Sequence, residues 1–320
     1  MIGVSSARYH GQDSAMASGS KKVIYAALVG NALIAVTKFI AAAMTGSSAM
    51  LSEGIHSCVD TGNQVLLLYG LKRAQKPPDQ KFPFGHGKEI YFWSFIVAIL
   101  IFALGAGISI YEGIIHVLHP VPVEDPHINY IVLGLAMIFE GAAWYFAFKE
   151  FTKAKGKWSY VSAVKKGKDP ALFVVLFEDS AAMLGLAAAF LGVFLGDITG
   201  IPYFDGGASI VIGLILACTA LWLAYETKIL LIGESANMPI VEGIRSIASS
   251  QDNIEHVNEV LTLHMGPDYI LANVSLDFAD RVSARSVERT IERIDNEIKN
   301  RFPQVKRIFI EAESRKHKES

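Results

Sequence analysis

Long apolar runs alternate with short polar connections through the first part of the chain. A helix needs about 20 mostly apolar residues to cross the hydrocarbon core of a bilayer, and lipid leaves open backbone N–H and C=O groups unsatisfied. The pattern therefore predicts six transmembrane helices within residues 21–235. They are expected at about 23–44, 50–71, 90–117, 128–149, 170–195 and 207–232.

After Gly233 the pattern changes to shorter segments of mixed polarity. Helical spacing alternates there with runs of period two, and Gly266-Pro267-Asp268 forms a turn signal between two such runs. The order predicts a small α+β (αββαβ, ferredoxin-like) domain over 236–314, with helices on one face of a three-stranded sheet. The polar stretches 1–20 and 315–320 are expected to be a mobile tail and a disordered tail.

Basic residues occur on alternate connections of the predicted helices. The connections near 45–49, 118–127 and 196–206 contain no Lys or Arg. The other connections are basic, with Lys72, Arg73, Lys76, Lys81 and Lys88 after helix 2 and Lys149, Lys153, Lys155, Lys157, Lys165, Lys166 and Lys168 after helix 4. The positive-inside rule then places both termini in the cytosol. The expected location is a multi-pass protein of a bacterial inner membrane.

Composition supports an α-helical membrane protein. Hydrophobic residues make up 52% of the chain and charged residues 19%, against about a quarter charged in soluble domains. The net charge of -2 gives no reason to expect nucleic acid as a partner. Cys58 and Cys218 both lie in apolar runs and provide neither a disulfide framework nor a Cys-x-x-Cys site. No organic cofactor is expected.

Ionisable residues inside the predicted spans are the candidates for function, because burying them in lipid is costly. Helix 2 carries Glu53, His56 and Asp60. His56 and Asp60 are four residues apart and share one helical face, which Asn63 continues. One imidazole nitrogen and one carboxylate suit zinc and its first-row neighbours.

Three more carboxyl groups lie in other spans, with Glu140 in helix 4 and Glu178 and Asp179 in helix 5. Adjacent residues on a helix point about 100° apart, so one of the last two is expected to face helix 2 and the other a neighbour or water. Any one of these groups alone could be a hydrogen-bonded packing residue. Their concentration in three helices favours an ion site.

Several motifs occur in a characteristic order. They are Thr45-Gly-Ser-Ser-Ala, Leu51-Ser-Glu-Gly-Ile-His56-Ser-Cys-Val-Asp60, Phe82-Pro-Phe-Gly-His86-Gly-Lys-Glu, Leu118-His-Pro120-Val-Pro and Phe177-Glu-Asp179-Ser-Ala-Ala-Met-Leu-Gly. From about 22 to 313 the chain resembles the cation diffusion facilitator family of metal/proton antiporters. It is most similar to the branch that includes the ninth mammalian zinc transporter.

The resemblance implies a transport site in which helices 2 and 5 each give two ligands four residues apart. His56, Asp60 and Asp179 match three of these positions, whereas Val175 occupies the fourth and cannot bind metal. Zinc prefers four ligands. The candidates for the fourth are Glu178, Glu140, Asn63 and water.

The resemblance also implies secondary features. His86, Asp79 and His256 match ligand positions of secondary metal sites, but Phe82, Ser275 and Ile310 replace other ligands, so these sites are expected to be weak or absent. The implied partners are divalent metal ions, protons, the lipid bilayer and a second copy in a homodimer. Lys88 resembles an interface lysine, and Glu234 is its candidate partner.

The predicted activity is efflux of zinc in exchange for protons by alternating access, and the protein is not expected to be an enzyme. One alternative keeps the fold and exports iron, manganese or cobalt, since one histidine among carboxylates does not select zinc alone. A second is a membrane-anchored metal sensor without transport. A third is an intramembrane metalloenzyme, for which the sequence lacks a His-Glu-x-x-His pattern.

Overall fold

The computed structural model describes residues 28, 31–120, 125–155, 159 and 170–315. The predicted tail 1–20 lies outside the described residues, as do residues 316–320 of the predicted tail 315–320 and most of the basic connection after helix 4.

Long helices make up the first domain. They are α1 Asn31–Thr45, α2 Ser48–Ala74, α3 Glu89–Leu118, α4 Pro126–Lys155, α5 Pro170–Thr199 and α6 Tyr203–Ile232. Among the described residues, α3, α4, α5 and α6 are long and apolar enough to cross a membrane. The described part of α1 is shorter, and α2 has polar residues along its buried face. Four spans are therefore clear from length and composition, and the number six remains a prediction.

A two-residue turn joins α1 to α2. Gly46 ends α1 with a φ of 67°, a left-handed conformation that costs glycine little, and its N–H donates to Ala42 O at 2.9 Å. Ser47 begins α2 by accepting a hydrogen bond from Met50 N at 3.2 Å on its side-chain oxygen. The turn holds the two helices side by side and fixes the rotation of α2.

Helix α3 contains a π-helical stretch, Ile101–Ala106, that the sequence pattern did not predict. Beyond it, α3 packs closely on α6. A Cβ on Gly113 would lie 2.7 Å from Gly206 O, and one on Gly213 would lie 2.9 Å from Ile110 N. The missing side chains let the two backbones approach, as small residues commonly do between membrane helices.

The C-terminal domain has the predicted αββαβ order. Its elements are α7 Met238–Ser249, β1 Ile254–Gly266, β2 Tyr269–Phe278, α8 Ala284–Arg301 and β3 Val305–Ala312. The sheet order is β1-β2-β3, with β1 antiparallel and β3 parallel to β2. Its buried core combines side chains from both helices and all three strands, including Ile244, Ile294, Ile270, Val274 and Val305.

The C-terminal domain contacts the connection between α2 and α3. A Cβ on Gly87 would collide with Met265 O in the β1–β2 hairpin. After α6, the chain joins the sheet directly, because His264 N donates to Glu234 O at 3.0 Å. The two domains therefore meet at the loop that holds Asp79 and His86, two of the three predicted secondary metal residues.

Candidate metal centre

One face of α2 is polar and buried within the helix bundle. Glu53, His56, Asp60 and Asn63 are each at most 2% exposed. They follow each other at intervals of three or four residues, which places them on one side of the helix. The spacing in the sequence thus becomes a row of ionisable groups inside the membrane domain.

His56 and Asp60 come together as their spacing predicts. His56 Nδ1 lies 3.3 Å from Asp60 Oδ1, and both side chains are almost fully buried. Within the described residues, neither imidazole nitrogen makes a hydrogen bond, and Asp60 Oδ1 also lacks one. Buried polar atoms are nearly always satisfied. A neutral imidazole has one nitrogen lone pair to offer, so this nitrogen and Asp60 Oδ1 suit a ligand with positive charge.

Glu178 on helix α5 lies against the polar face of α2. Its Oε1 accepts a hydrogen bond from Asn63 Nδ2 at 2.6 Å, and its carboxyl group is in hydrogen-bonding contact with that of Asp60. Two ionised carboxylates in such contact repel each other. The pair therefore needs a proton or a metal cation between its oxygens.

Asp179 is buried next to these groups. It is 7% exposed and close enough to interact electrostatically with Asp60 and Glu178. Glu178 is thus the α5 carboxyl that contacts α2 directly, although the motif match points to Asp179. Val175 packs against the apolar core of the bundle and adds no ligand.

The four candidate ligand side chains lie near one another, but they do not surround a common point. In the described ranges, no three His, Cys, Asp or Glu side chains are arranged to hold a metal ion. The helices bring His56, Asp60, Glu178 and Asp179 into one neighbourhood, and the final coordination distances would require the side chains to turn.

Lys38 on α1 belongs to the same buried group, and sequence reasoning missed it. Its Nζ donates to Glu53 Oε2 at 3.0 Å and to Ser57 Oγ at 2.8 Å, and it lies 3.8 Å from Glu140 Oε1. The side chain of Lys38 is fully buried. Placing a charge inside the membrane is as costly for a lysine as for a carboxyl group. A lone lysine in an apolar run is therefore an equal candidate for function.

A model of the cation efflux transmembrane domain matches residues 24–232. The chain belongs to the cation efflux family. This identification agrees with the resemblance drawn from the motifs, and the apolar helices make this family member a multi-pass integral membrane protein.

Similar proteins include transporters of different metals. The Xenopus laevis protein named proton-coupled zinc antiporter SLC30A9, mitochondrial, is 35% identical over 88% of this chain and 51% of its own length. The human protein of that name is 34% identical over 84% and 48%. The manganese efflux system protein MneP of Bacillus subtilis is 26% identical over 91% and 95%. The chain spans about half the length of the first two relatives.

The loop before α3 brings together two of the predicted secondary metal residues of this cation efflux protein. His86 Nε2 lies 2.9 Å from Asp79 Oδ2, and His86 is 7% exposed. The hydrogen bonds from His86 and from the backbone N–H of Phe82 lower the pKa of Asp79 below its ordinary value. The Phe82 ring packs on His86 with centroids 4.5 Å apart. Their role in binding metal stays a prediction.

The other predicted residues are not in contact with the His86–Asp79 pair in the contacts described. His256 is exposed on β1, beside the exposed Glu255. Lys88 Nζ donates to Leu231 O at 3.4 Å, three residues before Glu234, and partial burial lowers the pKa of Lys88. The pairing of Lys88 with Glu234 and its place in a dimer interface remain predictions.

A second polar cluster, also missed from the sequence, joins the first turn of α2 to α6. Asp205 accepts hydrogen bonds from Ser48 N at 2.6 Å and Ser48 Oγ at 2.8 Å, and also from Ser47 Oγ and Ala49 N. Ser52 and Ser209 bond each other beside it. We call Ser47, Ser48, Ser52, Asp205 and Ser209 the serine–aspartate clasp. A carboxylate at a helix N-terminus satisfies N–H groups that have no partner within the helix.

Proposed function

We propose that this protein exports zinc across a membrane in exchange for protons, using the buried side chains of α2 and α5. The observation that carries this proposal is the contact between the Asp60 and Glu178 carboxyl groups beside an imidazole that makes no hydrogen bond. This arrangement can hold protons or a dication, but it cannot hold two full negative charges unaccompanied. Competition between the two occupants couples their movements.

The same residues serve metal binding and proton exchange. His56 and Asp60 bind zinc from α2, and Asp179 and Glu178 bind it from α5. Metal binding requires neutral imidazole and ionised carboxylates, so zinc entering from one side displaces protons. Protons arriving from the other side take the same oxygen and nitrogen atoms and release zinc.

Alternating access supplies the exchange between the two sides. The helix bundle rocks around the site, so that the same ligands face one compartment and then the other. We expect both termini on the side where zinc is loaded and a two-fold dimer that includes the C-terminal domain. Support for transport comes from the family, whose matched relatives include proteins named as an antiporter and as an efflux system protein.

The choice of metal follows from the ligand types. An imidazole beside carboxylates suits zinc, and the matched SLC30A9 proteins are named as zinc antiporters. Manganese is the second candidate, because carboxylates outnumber the single histidine and a matched relative is named as a manganese efflux protein.

Which membrane contains the protein is a separate part of the proposal. The sequence predicts a bacterial inner membrane, whereas the names of the SLC30A9 relatives assign those proteins to the mitochondrion. The exchange needs only a proton gradient with its acidic side opposite the zinc-loading side.

Proteoliposomes carrying one dye for zinc and one for pH test the proposal. Wild-type protein should move zinc and protons in opposite directions, and Asp60→Ala or Asp179→Ala should abolish both signals. The control is Asp280→Ala, which changes an exposed carboxylate in the C-terminal domain and should leave both signals intact. Undiminished zinc flux in Asp60→Ala would remove α2 from the site.

A further inference from the structure

Lys38 places a positive charge inside the membrane domain at a point where three helices meet. From α1 it reaches Glu53 and Ser57 on α2 and Glu140 on α4. All of its charged contacts are buried, so neither water nor lipid head groups reach them. A buried lysine is stable only when it is paired with an opposite charge.

The atoms around Lys38 Nζ are all oxygens. They come from two carboxyl groups and one hydroxyl, and no nitrogen or sulfur atom is among the contacts described. Glu53 Oε1 and Glu140 Oε1 make no hydrogen bonds within the described residues. Oxygen-only sets rich in carboxylate are the ligands that Mg²⁺, Ca²⁺ and Mn²⁺ prefer.

The other half of the buried group has a different chemistry. His56 offers nitrogen next to the Asp60 carboxylate, which favours zinc over those harder cations. Glu53 and His56 are neighbours on one face of α2, so the oxygen side lies next to the nitrogen side. A metal that reached this buried cluster would have two sets of ligands to choose from.

We propose that Lys38 determines the metal specificity of this site by acting as a tethered cation. Its ammonium group occupies the oxygen side formed by Glu53, Ser57 and Glu140 and thereby keeps hard divalent cations out of it. The metal is left with the side formed by His56 and Asp60. This inference rests on the proposed function, because it concerns the cation that the same buried site selects.

Two features make the tethered cation effective. A dication beside the ammonium would meet strong repulsion, because charges on buried groups are poorly screened. Helix α5 also closes over Glu53, since a Cβ on Gly185 would collide with Glu53 Oε1. The carboxylate is therefore held between α5 and Lys38, with little space to reach a metal elsewhere.

The test compares Lys38→Met, which removes the charge, with Lys38→Arg, which keeps it. Zinc and manganese uptake are measured in the same proteoliposomes, and manganese binding to purified protein is followed by electron paramagnetic resonance. Lys38→Met should raise the ratio of manganese to zinc transport about tenfold or more and should bind manganese more tightly. Lys38→Arg should stay within about threefold of the wild-type ratio, because its positive charge remains.

Two further variants complete the test, one against a folding defect and one for the role of the carboxylate. Lys38→Gln removes the charge but can still hydrogen-bond Ser57 and Glu53, so it should show the same gain if Lys38→Met does not fold. Glu53→Gln retains the ammonium group and removes one carboxylate, and it should keep the wild-type ratio. A manganese gain in Glu53→Gln, with Lys38 in place, would overturn the inference.

The outcomes separate the inference from the proposed function. Wild-type protein that transports no metal would contradict the proposed function itself. Wild-type protein that transports zinc, with a ratio unchanged by Lys38→Met or Lys38→Gln, would overturn only the role of Lys38. Equal slowing of both metals in folded Lys38→Met protein would also overturn it and leave Lys38 a structural residue.

Discussion

Helix α2 takes part in two buried polar clusters that differ in how their hydrogen bonds are satisfied. At its first turn, both oxygens of Asp205 in the serine–aspartate clasp accept hydrogen bonds from α2. Farther along, Glu53 Oε1, Asp60 Oδ1 and both nitrogens of His56 have no hydrogen-bond partner among the described residues. The two clusters are equally buried, so burial alone does not distinguish them.

The difference separates residues that stabilise the fold from residues that are available to bind a ligand. Satisfied buried groups rigidify the structure around them, whereas unsatisfied ones cost free energy that a ligand can recover. The clasp therefore fixes the first turn of α2 to α6, whereas His56 and Asp60 bind protons or metal. This assignment predicts that substitutions in the clasp reduce stability and that substitutions of these two residues reduce transport.

The largest stability effect is expected at Asp205. Asp205→Ala leaves two serine hydroxyls and the first N–H groups of α2 without their acceptor, which should cost roughly 2–4 kcal/mol. Thermal unfolding of the purified protein in detergent measures the loss. Asp60→Ala is the matched control, because it removes a carboxyl group that repels its neighbours and should lower the unfolding temperature little or not at all. Equal destabilisation by both variants would erase the distinction between the clusters.

A pair of glycines on α5 sharpens the same comparison. A Cβ on Gly185 would meet the end of the flexible Glu53 side chain, whereas one on Gly192 would meet Ala208 Cβ and lie 3.0 Å from Phe204 O. Gly192→Ala forces backbone apart next to the clasp and should cost about 1–3 kcal/mol. Gly185→Ala pushes the Glu53 carboxylate against Lys38 and should slow zinc transport about tenfold, with a smaller loss of stability than Gly192→Ala. The opposite pattern, with Gly185→Ala the less stable variant, would contradict the comparison.

The sequence predicts the α5 carboxyls, the pair His56 and Asp60 and the αββαβ order, because periodicity and the cost of buried charge act locally. It does not predict the clasp, since Asp205 lies at the predicted boundary of helix 6 and its partners are more than 150 residues away along the chain. The π-helical stretch in α3 leaves no mark on the hydrophobic pattern. Lys38 carries the same local signal as the carboxyls, because it is an ionisable residue inside a predicted span. Packing between distant helices decides which buried polar atoms find partners.

The smallest effect is expected at the edge of the clasp. Ser52→Ala removes one hydroxyl from the Ser52–Ser209 hydrogen bond, and Ser209 Oγ can still donate to Ser48 O at 3.0 Å. The expected loss is about 1 kcal/mol, measured by the same thermal unfolding, with zinc transport unchanged. A strong transport defect in this stable variant would show that the clasp takes part in the exchange and would blur the boundary between the two clusters.

The position of bound zinc in an anomalous-scattering map tests the central claim most directly. The claim predicts a zinc ion in the membrane domain within about 2.0–2.2 Å of His56 and Asp60 and of at least one α5 carboxylate. The same map from Asp60→Ala crystals should lack that peak. Zinc bound only at the His86–Asp79 loop, with His56 and Asp60 bare, would contradict the account.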